Sequence, residues 1–358
     1  MVRSIAIYLP QFHPIPENDE WWGKGFTEWT NVTKATPKFK GHYQPHLPTD
    51  LGFYDLRLHE TMIEQAELAK AYGIYGFMFY HYWFSGKRIL ERPVNQWLEN
   101  KSPNFPFCIC WANENWSRRW DGKEHDLLLK QDYSEEDHRL HFKELARHFR
   151  DERYILVDGK PLFAIYRVEL IPDIKQMVAI WREEALKYGF KGLYLVSVGN
   201  PVYSTNPNEI DFDAAIKFQP DYFNLPKNLS ESFLNKILHK LNIKKSEVIG
   251  NSIYDYEEFV VETLKAEKSV DYLLYPSVTP MWDNSARRKK DAFVLHNSTP
   301  EKFGTWLKEV IKNFNPPTQE ENFIIINAWN EWAEGNHLEP CQKWGRQYLE
   351  VVKNNFLP

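Results

Sequence analysis

Two glutamates near the carboxyl end of the chain are well placed to do acid–base chemistry. Glu331 and Glu334 stand three residues apart in "INAWNEWAEG" (326–335), directly after a β-branched run. On a continuing strand their side chains would point to opposite faces, whereas a turn after Asn330, favoured by Gly335, brings both to one side. Two carboxyl groups that share a site have different pKa values, so one can donate a proton while the other acts as base or nucleophile.

Tryptophans flank this pair and recur at corresponding places along the chain. Trp329 and Trp332 stand on either side of Glu331, where we expect them to desolvate the carboxylates and to stack against a bound ligand. Ten of the fourteen tryptophans fall at the ends of strand-like runs or just after them: Trp21, Trp22, Trp29, Trp83, Trp111, Trp116, Trp120, Trp282, Trp329 and Trp332. Large flat side chains at such positions favour a ligand with flat apolar faces.

Eight short runs rich in β-branched and aromatic residues would position these side chains. They cover residues 4–12, 74–84, 106–116, 160–167, 192–200, 213–220, 271–282 and 323–330. Helical patterns between them cover residues 55–72, 134–150, 172–188, 254–268 and 300–313, with a polar insertion at 221–252. Asp55 and Thr299 stand at two of the predicted helix starts. Alternating strands and helices without a Gly-rich nucleotide fingerprint predict an α/β fold, a (β/α)8 barrel, as a single domain over residues 1–358 with extended loops after the strands.

In such a barrel the side chains at the carboxyl ends of the strands meet at one opening. Hydrogen-bonding and aromatic residues at these ends are His13, His81, Tyr82, Asn113, Glu114, Asn115, Arg167, Asn200, Gln219, Trp282, Asp283, Asn330, Glu331 and Glu334. Amides, carboxylates and aromatics with few phosphate-binding glycines or lysines favour a polyhydroxylated neutral ligand, a sugar. Because cleavage of a glycosidic bond normally needs two carboxyl groups, we predict Glu331 and Glu334 as catalytic residues and an oligosaccharide or polysaccharide as substrate.

The residues predicted to bind this substrate are His13, Trp29, His81, Tyr82, Trp111, Asn113, Glu114, Trp116, Arg167, Trp282, Trp329, Asn330 and Trp332. Two of them keep a second interpretation. Glu114 follows an Asn at a strand end, as the acid/base does in other retaining barrels, or it forms a structural ion pair with Arg118 or Arg119. Arg167 pairs either with Glu114 or with Glu331, and in both cases it would tune a carboxylate.

Trp29 and the histidines also have structural alternatives. Trp29, like its neighbours Trp21 and Trp22, either stacks on the sugar or fills the loop after the first strand. His13 and His81 lack zinc-binding spacing such as H-E-x-x-H, so hydrogen bonds to sugar hydroxyls or to loop backbone are favoured over metal ligation. The sequence therefore predicts no metal site and no organic cofactor.

Three stretches make the chain resemble a known group: "YLPQFHPIPENDEWWGKGFTEWTNVTKATPKFKGHYQPHLPTDLGFYDLR" (8–57), "ANENWSRRWDG" (112–122) and "INAWNEWAEGNHLEP" (326–340). They resemble WbsX-type proteins of bacterial polysaccharide and O-antigen clusters, a glycoside hydrolase family 99-like group, and the likeness covers nearly the whole chain. The resemblance implies a (β/α)8 barrel and activity on mannose-type or related glycans.

The resemblance also implies a mechanism, because Glu331 and Glu334 match the Glu-x-x-Glu pair of family 99 residue by residue. In that family the reaction proceeds with retention through a 1,2-anhydro sugar. Glu331 would deprotonate the sugar 2-hydroxyl, and Glu334 would act first as acid and then as base. Members of the WbsX branch are often described as glycosyltransferases, so transfer to an acceptor is an alternative to hydrolysis, and a noncatalytic glycan-binding barrel is another.

Composition excludes several other classes. The chain has 44 basic and 49 acidic residues, and no basic run longer than Arg287 to Lys290, so nucleic acid is not an expected partner. No stretch reaches the roughly 18 apolar residues of a membrane span. The first strand-like run begins too early for a signal peptide, and the odd number of cysteines lacks zinc spacing. These features predict a cytoplasmic protein and leave its oligomeric state open.

Overall fold

Parallel strands form a barrel at the centre of the molecule, as the sequence predicts. The computed structural model describes residues 2–118, 123–199, 205–231, 250–266, 269–288 and 290–357. The barrel strands are β1 (Arg3–Tyr8), β2 (Ile74–Phe84), β3 (Phe107–Trp111), β4 (Lys160–Ile165), β5 (Tyr194–Gly199), β6 (Ala214–Lys217), β7 (Leu274–Tyr275 and Ser277–Val278) and β8 (Phe323–Ile326). Each pairs in parallel with the next. Their nearly continuous apolar runs are buried, as is typical of a parallel sheet covered by helices.

The barrel closes through a seventh strand that is in two pieces. Leu274–Tyr275 pairs with β6, whereas Ser277–Val278 pairs with β8. Pro276 separates the pieces because proline has no backbone N–H to donate to the ladder, although its carbonyl accepts a hydrogen bond from the Ile325 N–H at 3.0 Å. Since β8 also pairs with β1, nine parallel segments fill eight strand positions around a closed circle.

Helices cover the barrel and also occupy the loops at one end of it. They are α1 (Pro16–Trp22), α2 (Glu28–Val32), α3 (His59–Ala71), α4 (Arg92–Asn100), α5 (Glu135–Phe149), α6 (Ile174–Lys187), α7 (Tyr256–Lys265), α8 (Pro300–Asn313) and α9 (Gln347–Phe356). Apolar residues such as Met62 and Ala66 of α3 join the same core as the strands. Among the described residues, no helix is both long enough and apolar enough to cross a lipid bilayer.

The five predicted helices form, with one error at a helix start. Helix α8 has the predicted bounds, and the Thr299 hydroxyl caps it by accepting a hydrogen bond from the Lys302 N–H at 3.3 Å. Asp55 does not cap α3, which begins only at His59. Its carboxylate instead accepts the Arg57 backbone N–H at 2.8 Å and binds the Arg57 guanidinium, and these local bonds delay the start of the helix.

A small second sheet lies beyond β6 and β7. Ser252–Asp255 pairs in parallel with Phe293–His296, and Trp282–Asp283 pairs antiparallel with the same strand. The predicted polar insertion at 221–252 therefore ends in the first of these strands, and its residues 232–249 lie outside the described ranges. The second sheet fixes the segment after β7, which continues into a short turn at Asn284–Ala286.

A substitution at Gly76 tests how closely β2 packs against the segment that leads into β3. A Cβ atom at Gly76 would lie 2.7 Å from the Pro106 carbonyl oxygen and 3.1 Å from the Ile155 Cδ1 atom. Because the first contact is with backbone, we expect Gly76→Ala to lower the free energy of unfolding by roughly 1–3 kcal/mol. In the control, Gly304→Ala in α8, the new Cβ would contact only the Val351 side chain, and Ala is the better helix former. Equal melting temperatures for the two variants would contradict this account.

Candidate active site

A cavity of about 340 Å³ opens at the carboxyl ends of the strands. Its lining is formed by Leu9, Gln11, Trp22, Tyr80, Tyr82, Ala112, Glu114, Asn115, Trp116, Leu128, Tyr166, Phe218, Tyr222, Trp282, Asn284, Arg287, Arg288, Asn327, Glu331 and Glu334. Leu9 follows β1, Ala112 follows β3 and Tyr166 follows β4. The cavity, called here the mouth cavity, therefore lies where active sites of such barrels are found.

The predicted turn after Asn330 forms and brings both glutamates into the mouth cavity. Asn330–Glu331 pairs antiparallel with Asn336–His337, and a single 3₁₀ turn at Trp332–Glu334 connects them. Gly335 closes the turn with a φ of 53°, a left-handed conformation that glycine adopts without strain. Residues 330–337 are called here the carboxylate turn.

One guanidinium holds both carboxylates of this turn. Arg287 Nη2 lies 2.7 Å from Glu331 Oε2, and Arg287 Nη1 lies 2.6 Å from Glu334 Oε1. Arg287 also binds Glu28 of α2, with its Nε atom 2.9 Å from Glu28 Oε1. Since adjacent nitrogens of one planar group bind Glu331 and Glu334, the two carboxylates face the same region of the cavity.

The two carboxylates differ in their environment. The Glu331 side chain is 7% exposed, whereas the Glu334 side chain is 22% exposed. Burial raises the pKa of Glu331 to about 8; Arg287 opposes this rise, and the nearby charges of Glu334 and Glu28 add to it. A carboxyl group with a pKa near neutrality can exchange a proton at physiological pH, which an ordinary surface glutamate cannot do.

Hydrogen bonds behind the cavity fix the start of the carboxylate turn on the barrel. Asn330 Oδ1 accepts the Leu9 N–H at 2.8 Å, and Asn330 Nδ2 donates to the Leu9 carbonyl at 3.1 Å. Asn330 thus continues the pairing of β8 with β1 by a side chain. It does not line the cavity, so its predicted contact with substrate is replaced by this structural contact.

Glu339 forms a second anchor for the same segment. It is buried and accepts hydrogen bonds from Trp332 Nε1 at 2.6 Å, Gln65 Nε2 at 2.6 Å and the Tyr54 hydroxyl at 2.9 Å. Burial raises the pKa of Glu339 to about 7, against these hydrogen bonds, which lower it. Tyr54 also accepts a hydrogen bond from Asn330 at 3.2 Å. The carboxylate turn is therefore held from behind by α3 and by the loop after β1.

Asp283 packs against the far end of the turn. Asp283 Oδ2 accepts hydrogen bonds from His42 Nε2 at 2.6 Å and from Gln44 Nε2 at 2.7 Å. The His42 Nδ1 atom accepts the Lys38 N–H at 2.9 Å, so a neutral His42 carries its proton on Nε2 and donates it to Asp283. A Cβ atom at Gly335 would lie 2.9 Å from the Asp283 Cβ atom, which shows how tightly the turn fits.

Four residues predicted to bind substrate line the mouth cavity together with the two glutamates: Tyr82, Glu114, Trp116 and Trp282. Arg167 lies directly behind one of them, with its Nη1 atom 2.8 Å from Glu114 Oε1. Of the two partners considered for Arg167, the structure shows Glu114. The alternative partners of Glu114 are not described, because the Arg118 side chain and all of Arg119 fall outside the described part of the chain, as do Trp120 and Asn200.

Asn113 supports this wall without lining it. Its Nδ2 atom donates to the Arg167 carbonyl at 2.8 Å, and its Oδ1 atom accepts the Arg167 N–H at 2.8 Å. Both polar groups of the Asn113 side chain are thus bound to the chain that follows β4, and its predicted contact with substrate is replaced by a structural one.

Three of the predicted tryptophans lie beneath the cavity. Trp329 is fully buried against Phe77, and Trp332 stacks on His337 with ring centroids 3.8 Å apart. Trp29 packs on Trp332 at 5.4 Å. These rings fill the space under the carboxylate turn and do not line the mouth cavity, because the local backbone turns them toward the core. The prediction that Trp329 and Trp332 stack on the ligand is therefore corrected.

His13, His81 and Trp111 are also absent from the cavity lining. His13 is buried, and burial lowers its pKa to about 4. His81 Nε2 lies 2.9 Å from His141 Nε2 of α5, and the Trp111 ring packs edge-on against His141. The last residues of β2 and β3 point alternately into the cavity and toward the helices, and His81 and Trp111 take the second direction.

Several lining residues were not singled out from the sequence: Gln11, Tyr80, Tyr166, Phe218, Tyr222, Asn284, Arg287, Arg288 and Asn327. Tyr80 could have been found, because it stands two residues before Tyr82 on the same strand and so shares its face. Arg287 had no comparable local signal. It appeared only as part of a basic cluster after the seventh strand, and its three carboxylate partners are distant in sequence.

Comparisons with solved structures agree with this architecture. A glycoside hydrolase-like protein superposes with a TM-score of 0.62 at 15% identity, covering 99% of this chain and 94% of its own. A glycoside hydrolase family 99 endo-α-mannosidase from Bacteroides thetaiotaomicron superposes with a TM-score of 0.57 at 14% identity, covering 98% of this chain and 96% of its own. At this identity the likeness establishes the fold, a (β/α)8 barrel of the family 99 type.

The family follows from the sequence comparison. Residues 4–352 match the profile described as Glycosyltransferase WbsX, and the chain belongs to the WbsX family. It is 41% identical over 351 residues to an uncharacterized protein, WxcX, from Xanthomonas campestris pv. campestris strain B100, covering 98% of this chain and 49% of WxcX. WxcX from strain ATCC 33913 matches to the same extent. The chain spans about half the length of these curated relatives.

A substitution at Gly335 tests whether close packing of the carboxylate turn against Asp283 holds Glu331 and Glu334 in position. Gly335→Ala places a Cβ atom 2.9 Å from the Asp283 Cβ atom at a φ of 53°. We expect a loss of at least tenfold in the activity proposed below, measured as kcat/KM, because the turn must move away from Asp283 and would carry Glu331 and Glu334 out of position. Gly345→Ala is the matched control, since Gly345 has a φ of 52° and no atom within 4 Å of the new Cβ. Equal activity of the two variants would contradict this role.

Proposed function

We propose that the chain is a retaining glycoside hydrolase of the family 99-like type that acts on mannose-type or related bacterial polysaccharide or O-antigen glycans. Glu331 is the base that acts on the sugar 2-hydroxyl, and Glu334 is the general acid/base. The observation that carries this proposal is the binding of both carboxylates to adjacent nitrogens of Arg287 at the wall of the mouth cavity.

The difference in exposure supports this division of roles. A 2-hydroxyl is weakly acidic, so its base works best with a raised pKa, and Glu331 has a pKa of about 8 in a buried position. The acid/base must reach the leaving oxygen and later a water molecule. Glu334 is the more exposed of the two carboxylates and also lines the cavity, as this second role requires.

The proposed reaction has two balanced steps. In the first, Glu331 takes the proton of the 2-hydroxyl, O2 attacks C1, the glycosidic bond breaks and Glu334 protonates the leaving oxygen. The product is a 1,2-anhydro sugar. In the second step, Glu334 removes a proton from water, the water oxygen attacks C1, the C1–O2 bond of the anhydro sugar breaks, and O2 recovers its proton from Glu331. Two displacements at C1 leave the anomeric configuration unchanged.

The cavity suits a sugar in size and lining. Its volume of about 340 Å³ lies in the usual range of ligand pockets, about 300–1,000 Å³. Tyr82, Trp116 and Trp282 provide aromatic surface for the apolar faces of a sugar ring, and Glu114 and Asn115 provide hydrogen-bonding groups. The fold of an endo-α-mannosidase supports the choice of mannose-type glycans.

A glycosyltransferase is the second candidate, and the description of the family profile favours it. The same two carboxylates would then act on an activated sugar donor, and an acceptor hydroxyl would replace water in the second step. A transferase would transfer sugar from a nucleotide-sugar or lipid-linked donor and would release no reducing ends from oligosaccharides.

Replacement of each glutamate tests the assigned roles. With mannan or O-antigen fragments as substrate, Glu331→Gln and Glu334→Gln should each lower turnover by about 10²–10⁴-fold, because each removes one proton transfer. New reducing ends measure turnover, and NMR of the first product should show retained configuration. Glu309→Gln changes a partly exposed glutamate of α8 that pairs with Lys312, outside the mouth cavity, and should leave turnover unchanged.

Leaving-group chemistry separates the two roles. An aryl glycoside with a good leaving group needs no protonation, so it should restore the first step in Glu334→Gln but not in Glu331→Gln. Near-normal turnover of either variant would remove that residue from its role. If the protein binds glycans but neither it nor its variants releases product, it is a glycan-binding barrel.

A substrate without the attacking hydroxyl tests the intermediate. A 2-deoxy analogue of a cleaved glycoside cannot form a 1,2-anhydro sugar, and we expect no measurable turnover. The same analogue should still bind and inhibit, since most of its contacts are preserved. If the 2-deoxy analogue turned over as fast as the parent glycoside, with a covalent glycosyl-enzyme intermediate, the base role of Glu331 would be wrong.

A further inference from the structure

Glu28 is the third carboxylate that binds Arg287, and no step of the proposed reaction uses it. We propose that Glu28 is a positioning residue. By binding one edge of Arg287, it prevents Glu331 from forming a bidentate ion pair with the guanidinium. The Glu331 carboxylate therefore stays able to take a proton from the sugar. This inference rests on the proposed function, since it explains how the assigned base keeps its basicity.

The hydrogen bonds of Arg287 show how its N–H groups are divided between Glu28 and Glu331. Arg287 Nη2 donates both to Glu331 Oε2 at 2.7 Å and to Glu28 Oε1 in a shorter contact, while Arg287 Nε also donates to Glu28 Oε1 at 2.9 Å. Glu28 therefore receives two of the N–H groups on one edge of the guanidinium. Nη2 carries two N–H groups, and Glu331 receives only the one that points away from Nε. Because Glu28 occupies the Nε/Nη2 edge, Glu331 does not receive the two parallel hydrogen bonds that would hold a carboxylate most firmly.

Glu28 is fixed in this position and is separated from any bound sugar. It is fully buried and does not line the mouth cavity. Its backbone N–H donates to the Gln11 carbonyl at 3.1 Å, and the next residue, Trp29, packs on Trp332 of the carboxylate turn. Glu28 can therefore affect the reaction only through the groups around its carboxylate, chiefly Arg287 and the backbone N–H of Ala333 in the carboxylate turn.

The charges around Glu331 determine whether the loss of Glu28 raises or lowers the pKa of Glu331. The charged and titratable groups that face Glu331 are Arg287, Glu334 and Glu28, together with Tyr80 and Tyr82 of β2. Burial raises the pKa of Glu331, Arg287 lowers it, and Glu334 and Glu28 raise it. Loss of the charge of Glu28 removes one raising influence and frees the Nε/Nη2 edge of the guanidinium for Glu331. Both changes lower the pKa of Glu331 and make it a weaker base.

The test compares the pH dependence of kcat/KM in the parent chain and in Glu28→Gln. Glu331 must be ionised to act, so kcat/KM of the parent should rise with pH around a midpoint of about 8. In Glu28→Gln we expect this midpoint to fall by about one pH unit, with a several-fold lower kcat above it and an unchanged KM. Glu17→Gln is the control, because Glu17 lies in the same loop and pairs with Lys87.

A purely structural role for Glu28 gives a different result. It predicts a lower kcat and a lower melting temperature with the midpoint unchanged, and that outcome, or a midpoint shifted upward, would overturn the proposal. Glu28→Asp keeps the charge but shortens the side chain by one methylene, which moves the carboxylate away from Arg287. The midpoint should therefore shift in the same direction as in Glu28→Gln, but by a smaller amount. This second variant keeps the test decisive if Glu28→Gln does not fold.

A direct titration separates this proposal from the proposed function. The carboxyl of Glu331 can be followed by NMR of protein labelled with ¹³C-glutamate, with Glu331→Gln identifying its signal. A lower pKa of Glu331 in Glu28→Gln supports the electrostatic link without any activity measurement, and an equal or higher pKa overturns it. Failure of the enzyme assays alone would count against the proposed function and not against the link.

Discussion

Three carboxylates, two of them buried, surround one guanidinium, and this is the constraint on which the candidate site depends. An unpaired buried charge is strongly unfavourable, so Glu28, Glu331 and Glu334 can lie together only if Arg287 lies between them. These residues come from the loop after β1, the segment after β7 and the turn after β8. A closed barrel brings these regions to one opening, and the second sheet places the segment that carries Arg287.

The polar groups of this site fall into two sets: some take part in the proposed chemistry, and others hold the carboxylate turn in place. Arg287 keeps close together carboxylates that differ in exposure, which serves the proposed chemistry. Glu339 and Asn330 bind only groups behind the cavity, which serves position. Glu331 and Glu334, the proposed base and acid, therefore lie on a turn whose backbone is fixed by contacts within the protein. Such an arrangement is organised before a ligand arrives.

The sequence predicted the barrel well, because the strands are continuous apolar runs and because helices α5, α6, α7 and α8 have side-chain caps at their starts. It failed where local contacts compete, as at Asp55, and where a strand is broken, as at Pro276. The glutamate pair was found because its spacing is local. Arg287 and Glu28 were not, because an ion pair between distant segments leaves no periodic signal. The error over Trp329 arose because a strand end does not reveal which way its last side chains point.

The residues that anchor the carboxylate turn lie on its side away from the mouth cavity, and this has a consequence for the evolution of specificity. The opposite side of the mouth cavity consists of residues such as Trp116, Tyr166 and Tyr222, which belong to segments after β3, β4 and β6. Mutations, insertions or deletions in those segments can reshape the pocket without disturbing the residues that anchor Glu331. Under the proposed function, a lineage built on this barrel can thus exchange one sugar for another while inheriting the same pair of glutamates.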